Sequence, residues 1–249
     1  MHSNTPLLGR RALVLGAAAL AASGSARAES TEIRIGVFSL LGNSVRVVAK
    51  TLDEVMFKDV AMDDVVLAAA AAAVQARWPQ VRPNLQRAAE QVNVDDQLAI
   101  GNEAARRGKL PEWIVKAASA QSASHVLLIT SSSGAMEFRT GLSQVVGNYN
   151  VTGVGFYVGA DGRTSNDSTG AVASGYLAPF AQLRVTLVDV AQGSVVGSVK
   201  ATDGYIVGPP ESEAPDPWRF LSREEKARAL RQLLKSNVTR AVDEVLKGI

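Results

Sequence analysis

The stretch that most restricts the fold is 182–207, QLRVTLVDVAQGSVVGSVKATDGYIV. Leu183, Val185 and Leu187 alternate with Gln182, Arg184 and Thr186, the period-2 pattern of a strand with one buried face. Val195, Val199 and Ala201 set against Val196, Ser198, Lys200 and Thr202 give a weaker return pattern. Gly193 suits the left-handed position that closes a short loop, because it has no Cβ to clash at positive φ. Asp189 can accept hydrogen bonds from free N–H groups of that loop. The stretch therefore predicts a long β-hairpin, with Asp189 as a turn residue rather than a catalytic acid.

Residues 1–28 read as an export signal. Arg10 and Arg11 supply a positive start, Ala12 to Ala22 a short apolar run, and Ala26-Arg27-Ala28 an A-x-A cleavage site. The apolar run is too short for a transmembrane anchor. The paired arginines fit a twin-arginine signal and also an ordinary secretory signal that carries two arginines. No cysteine follows the run, so lipidation at a lipobox cysteine is excluded. Cleavage after Ala28 predicts a secreted, periplasmic chain.

The signal also carries the basic balance. The chain has 26 Lys+Arg and 24 Asp+Glu. Removing its three arginines leaves 23 basic against 24 acidic residues, a net charge of −1. That charge gives no general attraction for nucleic acid or an anionic membrane. With no cysteine, disulfides, thiolate metal sites and a cysteine nucleophile are excluded. Residues 29–249, in a chain that is 47% hydrophobic, suffice for one sizeable domain or for two, and are expected to form a single α/β domain.

Along the first half, Ile33 to Leu41 reads as a strand ended by Gly42-Asn43, and Ser44 to Thr51 as a second, returning strand. Asp63 or Asp64 is a candidate N-cap for a helix Val65 to Trp78, whose run Ala68 to Ala73 suits close packing. Pro83 reads as the first turn of a helix to about Val92. Asp95 or Asp96 would cap another, ending before Gly108, and Pro111 to Gln121 a third with Trp113, Ile114, Ala117 and Ala118 buried. The continuous apolar run His125 to Thr130 predicts a central strand covered on both faces.

In the second half, Gly153, Gly155 and Gly159 have the wrong spacing for a dinucleotide fingerprint and mark a bulged strand instead. Gly159 to Ser174 reads as a mobile loop, in which Asp161, Asn166 and Asp167 lack the spacing of a calcium loop. Gly208 to Pro217, GPPESEAPDP, reads as a stiff connector. Ser222-Arg223-Glu224-Glu225 is a capping box. Ala227, Leu230, Leu234, Val238, Ala241, Val242 and Val245 then stripe a long helix stopped by Gly248. The fold class expected is α/β (α+β): a mixed sheet of about five to six strands with a long hairpin, packed by several helices including a long C-terminal one.

Chemistry-bearing residues are few. After cleavage His125 is the only histidine, and Ser131, Ser132 and Ser133 lie about 20 Å away at the far end of its strand. His125 is expected to be a strand-end structural residue. The carboxylates Asp53/Glu54, Asp59, Asp63/Asp64 and Asp95/Asp96 are more simply turns and caps. No residue is assigned a catalytic, cofactor-binding or metal-binding role.

Three pieces together resemble a known periplasmic α/β domain. They are the strand Ile33 to Leu41, Ala123 to Ile129 after a helix, and Leu183 to Asp189 through Gly193 with a return strand and final helix. The domain is shared by the curli secretion lipoprotein, the lipoprotein activators of penicillin-binding proteins, and the N-terminal domain of the Tol translocation protein. The chain departs from them in lacking the lipid-attachment cysteine and an obvious lipid-facing hairpin, and those families have no catalytic residues to carry over. The resemblance implies a non-catalytic cell-envelope protein with protein partners. An exported enzyme or small-ligand binder using carboxylates or His125 is the alternative, and a homo-oligomer built through the alanine helix or an open hairpin edge is a further possibility.

Overall fold

The computed structural model describes residues 33–43, 45–49, 61–88, 90–139, 145–166, 168–210 and 216–249. Residues 1–28, where an export signal is expected, and Asp53, Glu54, Asp59, Asp167 and the middle of the 208–217 connector lie outside them. The elements in order are β1 Ile35–Ser39, β2 Arg46–Ala49, α1 Met62–Arg77, β3 Asn84–Arg87, α2 Val94–Arg107, α3 Glu112–Ala120 and β4 His125–Ser131. They continue with β5 Ser133–Arg139, β6 Val145–Ser165, β7 Val172–Asp189, β8 Ser194–Gly204 and α4 Arg223–Val245. Among the described residues, no helix is long and apolar enough to cross a membrane.

The hairpin forms as its sequence dictates. β7 and β8 pair antiparallel from Phe180–Gly204 to Asp189–Ser194. Gly193 closes the turn at φ +59°, and Asp189 Oδ1 accepts from the Gln192 N–H at 2.9 Å. One detail differs. A bulge between Leu187 and Val188 shifts the register, so Leu187 faces Gly197 and Val188 faces Val195. The extra residue swaps the phase of the return strand. Val196, not Val195, therefore joins Val199 and Ala201 toward the core.

Among the described residues the sheet is mixed and has eight strands, in the order β2-β6-β7-β4-β1-β3, with β5 on β6 and β8 on β7. The count exceeds five to six because Asn84–Arg87, within the stretch read as a helix, is a strand, and Ser133–Arg139, which carries no clear pattern, is another. Pro83 does not open a helix: Asn84–Arg87 is a short edge strand parallel to β1. Gly159 to Ser174 is the end of the β6–β7 hairpin, in which Arg163 to Ser165 pair with Val172 to Ser174. Thr164 Oγ1 donates to the Gly175 carbonyl at 2.6 Å, and Asn166 Oδ1 accepts from the Ser168 and Thr169 N–H groups to close the turn. The polar composition thus serves a turn rather than a loose loop. β2 forms, but it runs parallel to β6 instead of returning on β1.

β4 is central, parallel to β1 on one side and antiparallel to β7 on the other. Its alternate residues enter two cores. Leu127 and Ile129 join Ile35, Val37, Leu183, Val185 and Leu187 beneath α1 and α4. Val126 and Leu128 join Phe38, Ala104, Ile114 and Ala118 beneath α2 and α3. Each fully buried Val, Leu, Ile or Phe among them contributes about 1.5–3 kcal/mol. The covering helices explain why Gln182 and Thr186, expected on an open face, are also buried. Trp113, expected inside α3, is 40% exposed and meets Phe38 edge to face. A third cluster, Met136, Phe138, Val151, Tyr176, Ala178 and Phe180, comes from β5, β6 and β7.

The alanine run of α1 is used internally: Ala69, Ala70 and Ala73 share the α4 core. α4 opens on the expected capping box. Ser222 Oγ accepts from the Glu225 N–H at 3.2 Å, and the Ser222 N–H donates to Glu225 Oε2 at 2.8 Å. α2 is capped by Asn93, whose Oδ1 accepts from the Asp96 N–H, with Asp95 and Asp96 following in the first turn.

Candidate functional site

One described hollow sits where the parallel strands β1 and β3 end. It is a cleft of about 150 Å³ lined in part by Leu40, Gly42, Asn43, Asp63, Arg87 and Gln91. The carboxyl ends of parallel strands are where open α/β sheets place ligands. Asp63 is its focus. The sequence suggests an N-cap there, but Ala61 holds the cap position without a side-chain bond. Asp63 instead turns into the sheet and is 8% exposed. Its Oδ1 accepts from the Ser39 hydroxyl and its Oδ2 from the Gly42 N–H at 3.1 Å. Burial raises its pKa; the Ser39 bond, the Gly42 and Leu41 backbone and the Arg87 charge oppose that rise. Asp64 faces outward and pairs with Arg87 at 3.2 Å. The volume is below the roughly 300–1,000 Å³ of ordinary small-molecule pockets, so the cleft suits an ion or a single small group.

The other candidates are bound into the fold. His125 Nδ1 lies 3.0 Å from Ser124 Oγ. That hydroxyl donates to the Arg34 carbonyl at 3.1 Å and accepts from the Arg34 N–H at 3.0 Å, tying the entry of β1 to that of β4. At the far end of β4, Ser131 donates through N–H and hydroxyl to Gln97 Oε1 at 3.2 and 2.7 Å. Gln97 Nε2 in turn donates to the Val92 carbonyl at 2.8 Å. Ser132 Oγ donates to the Leu183 carbonyl at 3.2 Å, and Thr202 Oγ1 donates to Gln182 Oε1 at 2.9 Å. Ser133 is exposed. His125 and the serines stay at opposite strand ends, and Asp189 lies opposite His125 in register while serving its turn. Asn166 builds the β6–β7 turn, and the side chains of Asp161 and Asp167 are outside the described residues. Gln97 and Gln182 were not marked as site residues by the sequence; the available signal was a glutamine at a position that helix or strand periodicity turns inward.

No family model matches the chain, and no curated protein matches it. Solved structures do. The PelC dodecamer from Paraburkholderia phytofirmans is similar at 16% identity and a TM-score of 0.30, over 86% of this chain and 85% of that one. A neuraminyllactose-binding hemagglutinin homolog from Helicobacter pylori is similar at 7% identity and a TM-score of 0.33, over 88% of this chain and 91% of that one. Neither is a curli, penicillin-binding-protein activator or Tol protein.

Proposed function

We propose that the chain is an exported periplasmic protein that acts by protein–protein contact in the cell envelope rather than by catalysis. The observation that carries this reading is the bonding of its chemistry-bearing side chains. Ser131 joins β4 to α2 through Gln97, Ser132 bonds to β7, Asp189 closes the β7–β8 turn, and His125 lies against Ser124, whose hydroxyl joins the entry of β4 to Arg34. Moving any of them to serve a substrate would break a fold-forming bond. The paired arginines and the A-x-A site support export. The test joins cell fractionation with a photo-crosslinker placed in turn at the exposed Leu85, Trp113 and Tyr205. The expected result is a mature envelope-fraction protein with a reproducible adduct from at least one position. A cytoplasmic chain without any adduct refutes it.

A second reading is a small-ligand site at Asp63, favoured by its place in the cleft at the ends of β1 and β3. A thermal-shift panel of small anions, cations and metabolites tests it, since a ligand of the folded state raises Tm. A shift lost in Asp63→Asn supports the site, and a flat panel removes it.

A further inference from the structure

The outward face of the β7–β8 hairpin beside α2 collects positive charge that no acid among the described residues pairs with. Arg184 is half-buried there. Its two terminal guanidinium nitrogens donate to Asn102 Oδ1 at 3.2 Å and to Ser198 Oγ at 3.5 Å, both neutral acceptors. Burial weakens its hold on a proton, and the charge of Arg106, one turn along α2 from Asn102, adds to that effect. Lys200 is its direct cross-strand partner in the register, and the Lys200 ammonium donates only to the Ser133 carbonyl at 3.3 Å. Among the described residues no carboxylate pairs with any of the three; Glu103, nearby on α2, is paired with Arg107 at 3.6 Å.

The packing holds this arrangement in place. A Cβ on Gly101 would overlap the Thr130 hydroxyl and lie 3.6 Å from Arg184 Cδ. The bare glycine lets α2 press onto β4 and the stem of Arg184, so the guanidinium emerges at a fixed point between helix and hairpin. Like charges directly opposite in a strand pair are destabilising. A guanidinium fork with free N–H groups matches two oxygens of one oxyanion, and two further cations suit a second negative charge.

We propose that Arg184, Arg106 and Lys200 form a binding subsite for a phosphate group, with Arg184 as the bidentate anchor. The same chemistry serves free phosphate and a phosphorylated lipid headgroup. The mature protein is titrated with inorganic phosphate while the arginine Nε–H and backbone amide resonances are followed. The expected result is saturable shifts centred on Arg184 and Asn102, with a dissociation constant of about 1 mM at low salt. Arg184→Gln abolishes them, and Arg184→Lys weakens them several-fold by losing the fork. Lys200→Gln gives a pair of opposite effects: Tm rises by about 1–3 °C in low salt as repulsion is relieved, while phosphate affinity falls several-fold. A lysine that only braces the sheet would lower Tm.

Flotation with phosphatidate and with phosphatidylcholine vesicles separates the sources. Arg184-dependent binding to phosphatidate alone names a headgroup; binding to neither, with the phosphate response intact, names a soluble ligand. Absence of saturation at tenfold the expected constant, or a response unchanged in a folded Arg184→Gln protein, overturns the subsite.

Discussion

Replacing Gly108 with alanine tests how the C-terminal end of α2 is seated on the hairpin turn. Gly108 ends the helix at φ +66°, with its N–H donating to the Ala104 carbonyl at 2.9 Å. A Cβ there would lie 2.8 Å from the Gly193 carbonyl carbon and closer still to its oxygen. Two penalties add. The left-handed backbone costs a non-glycine residue about 1 kcal/mol. The overlap is with main chain, which no rotamer change can relieve, and forced overpacking of this kind costs about 1–3 kcal/mol. Gly108→Ala should therefore lose about 2–4 kcal/mol. Gly193 supplies the control, because it too has positive φ, +59°, but a Cβ there meets nothing within 4 Å. Gly193→Ala should lose only about 1 kcal/mol. Urea denaturation followed by circular dichroism, with the slope compared between variants, measures both. Equal losses in the two variants would refute the claim that helix end and turn are in contact.

Gln97→Ala removes the acceptor of the buried Ser131 N–H and hydroxyl and should cost about 2–4 kcal/mol, with faster amide exchange at Ser131 as the specific sign. Because burial raises the Asp63 pKa above 3.8, the folded state binds more protons than the unfolded state between 3.8 and the raised value. The Asp63 contribution to stability is then complete below 3.8 and is lost as pH rises through that window. Tm against pH should fall more steeply for the wild type than for Asp63→Asn there, and parallel curves would contradict the assignment. Ser222→Ala should lower stability by about 1 kcal/mol through loss of the capping box, read as a Tm drop of about 2–4 °C.

The elements legible in the sequence are those set by neighbours in the chain. The β7 alternation, the Asp189–Gly193 turn, the apolar run of β4 and the Ser222–Glu225 box each carry their chemistry within a few residues. β3 was hidden because Asn84–Arg87 is too short to alternate, and its identity as a strand comes from β1, nearly fifty residues earlier. Pro83 fits the start of a strand as well as the first turn of a helix, and only the distant partner decides. The tip of the β6–β7 hairpin was read as loose for a similar reason, since its ordering bonds reach from Thr164 to Gly175 and from Asn166 to Pro209. Asp63 was visible as an acid near a helix start, which is half of its role. The other half, its hold on Ser39 and Gly42 at the end of β1, needs the sheet and helix already assembled. The Arg184 cluster joins the 182–207 hairpin to Arg106 of α2, and no local pattern marks that meeting.

The position of α4 has a consequence in time. Leu230, Leu234, Val238 and Val242 complete the same cluster as Ile35 and Val37, so the first strand and the last helix finish one core together. β1 also waits for β4, ninety residues along, before it has a partner on its inner side. Contacts of such long sequence separation make folding slow, because the intervening chain must be closed before they reward it. A chain ending at Phe220 would leave Leu183, Val185 and Leu187 without their cover. It would be an unfinished domain with an open apolar sheet, the kind of intermediate that aggregates. The decisive folding step therefore belongs to α4, and nascent chains halted before it should remain sensitive to protease while chains that include it become resistant.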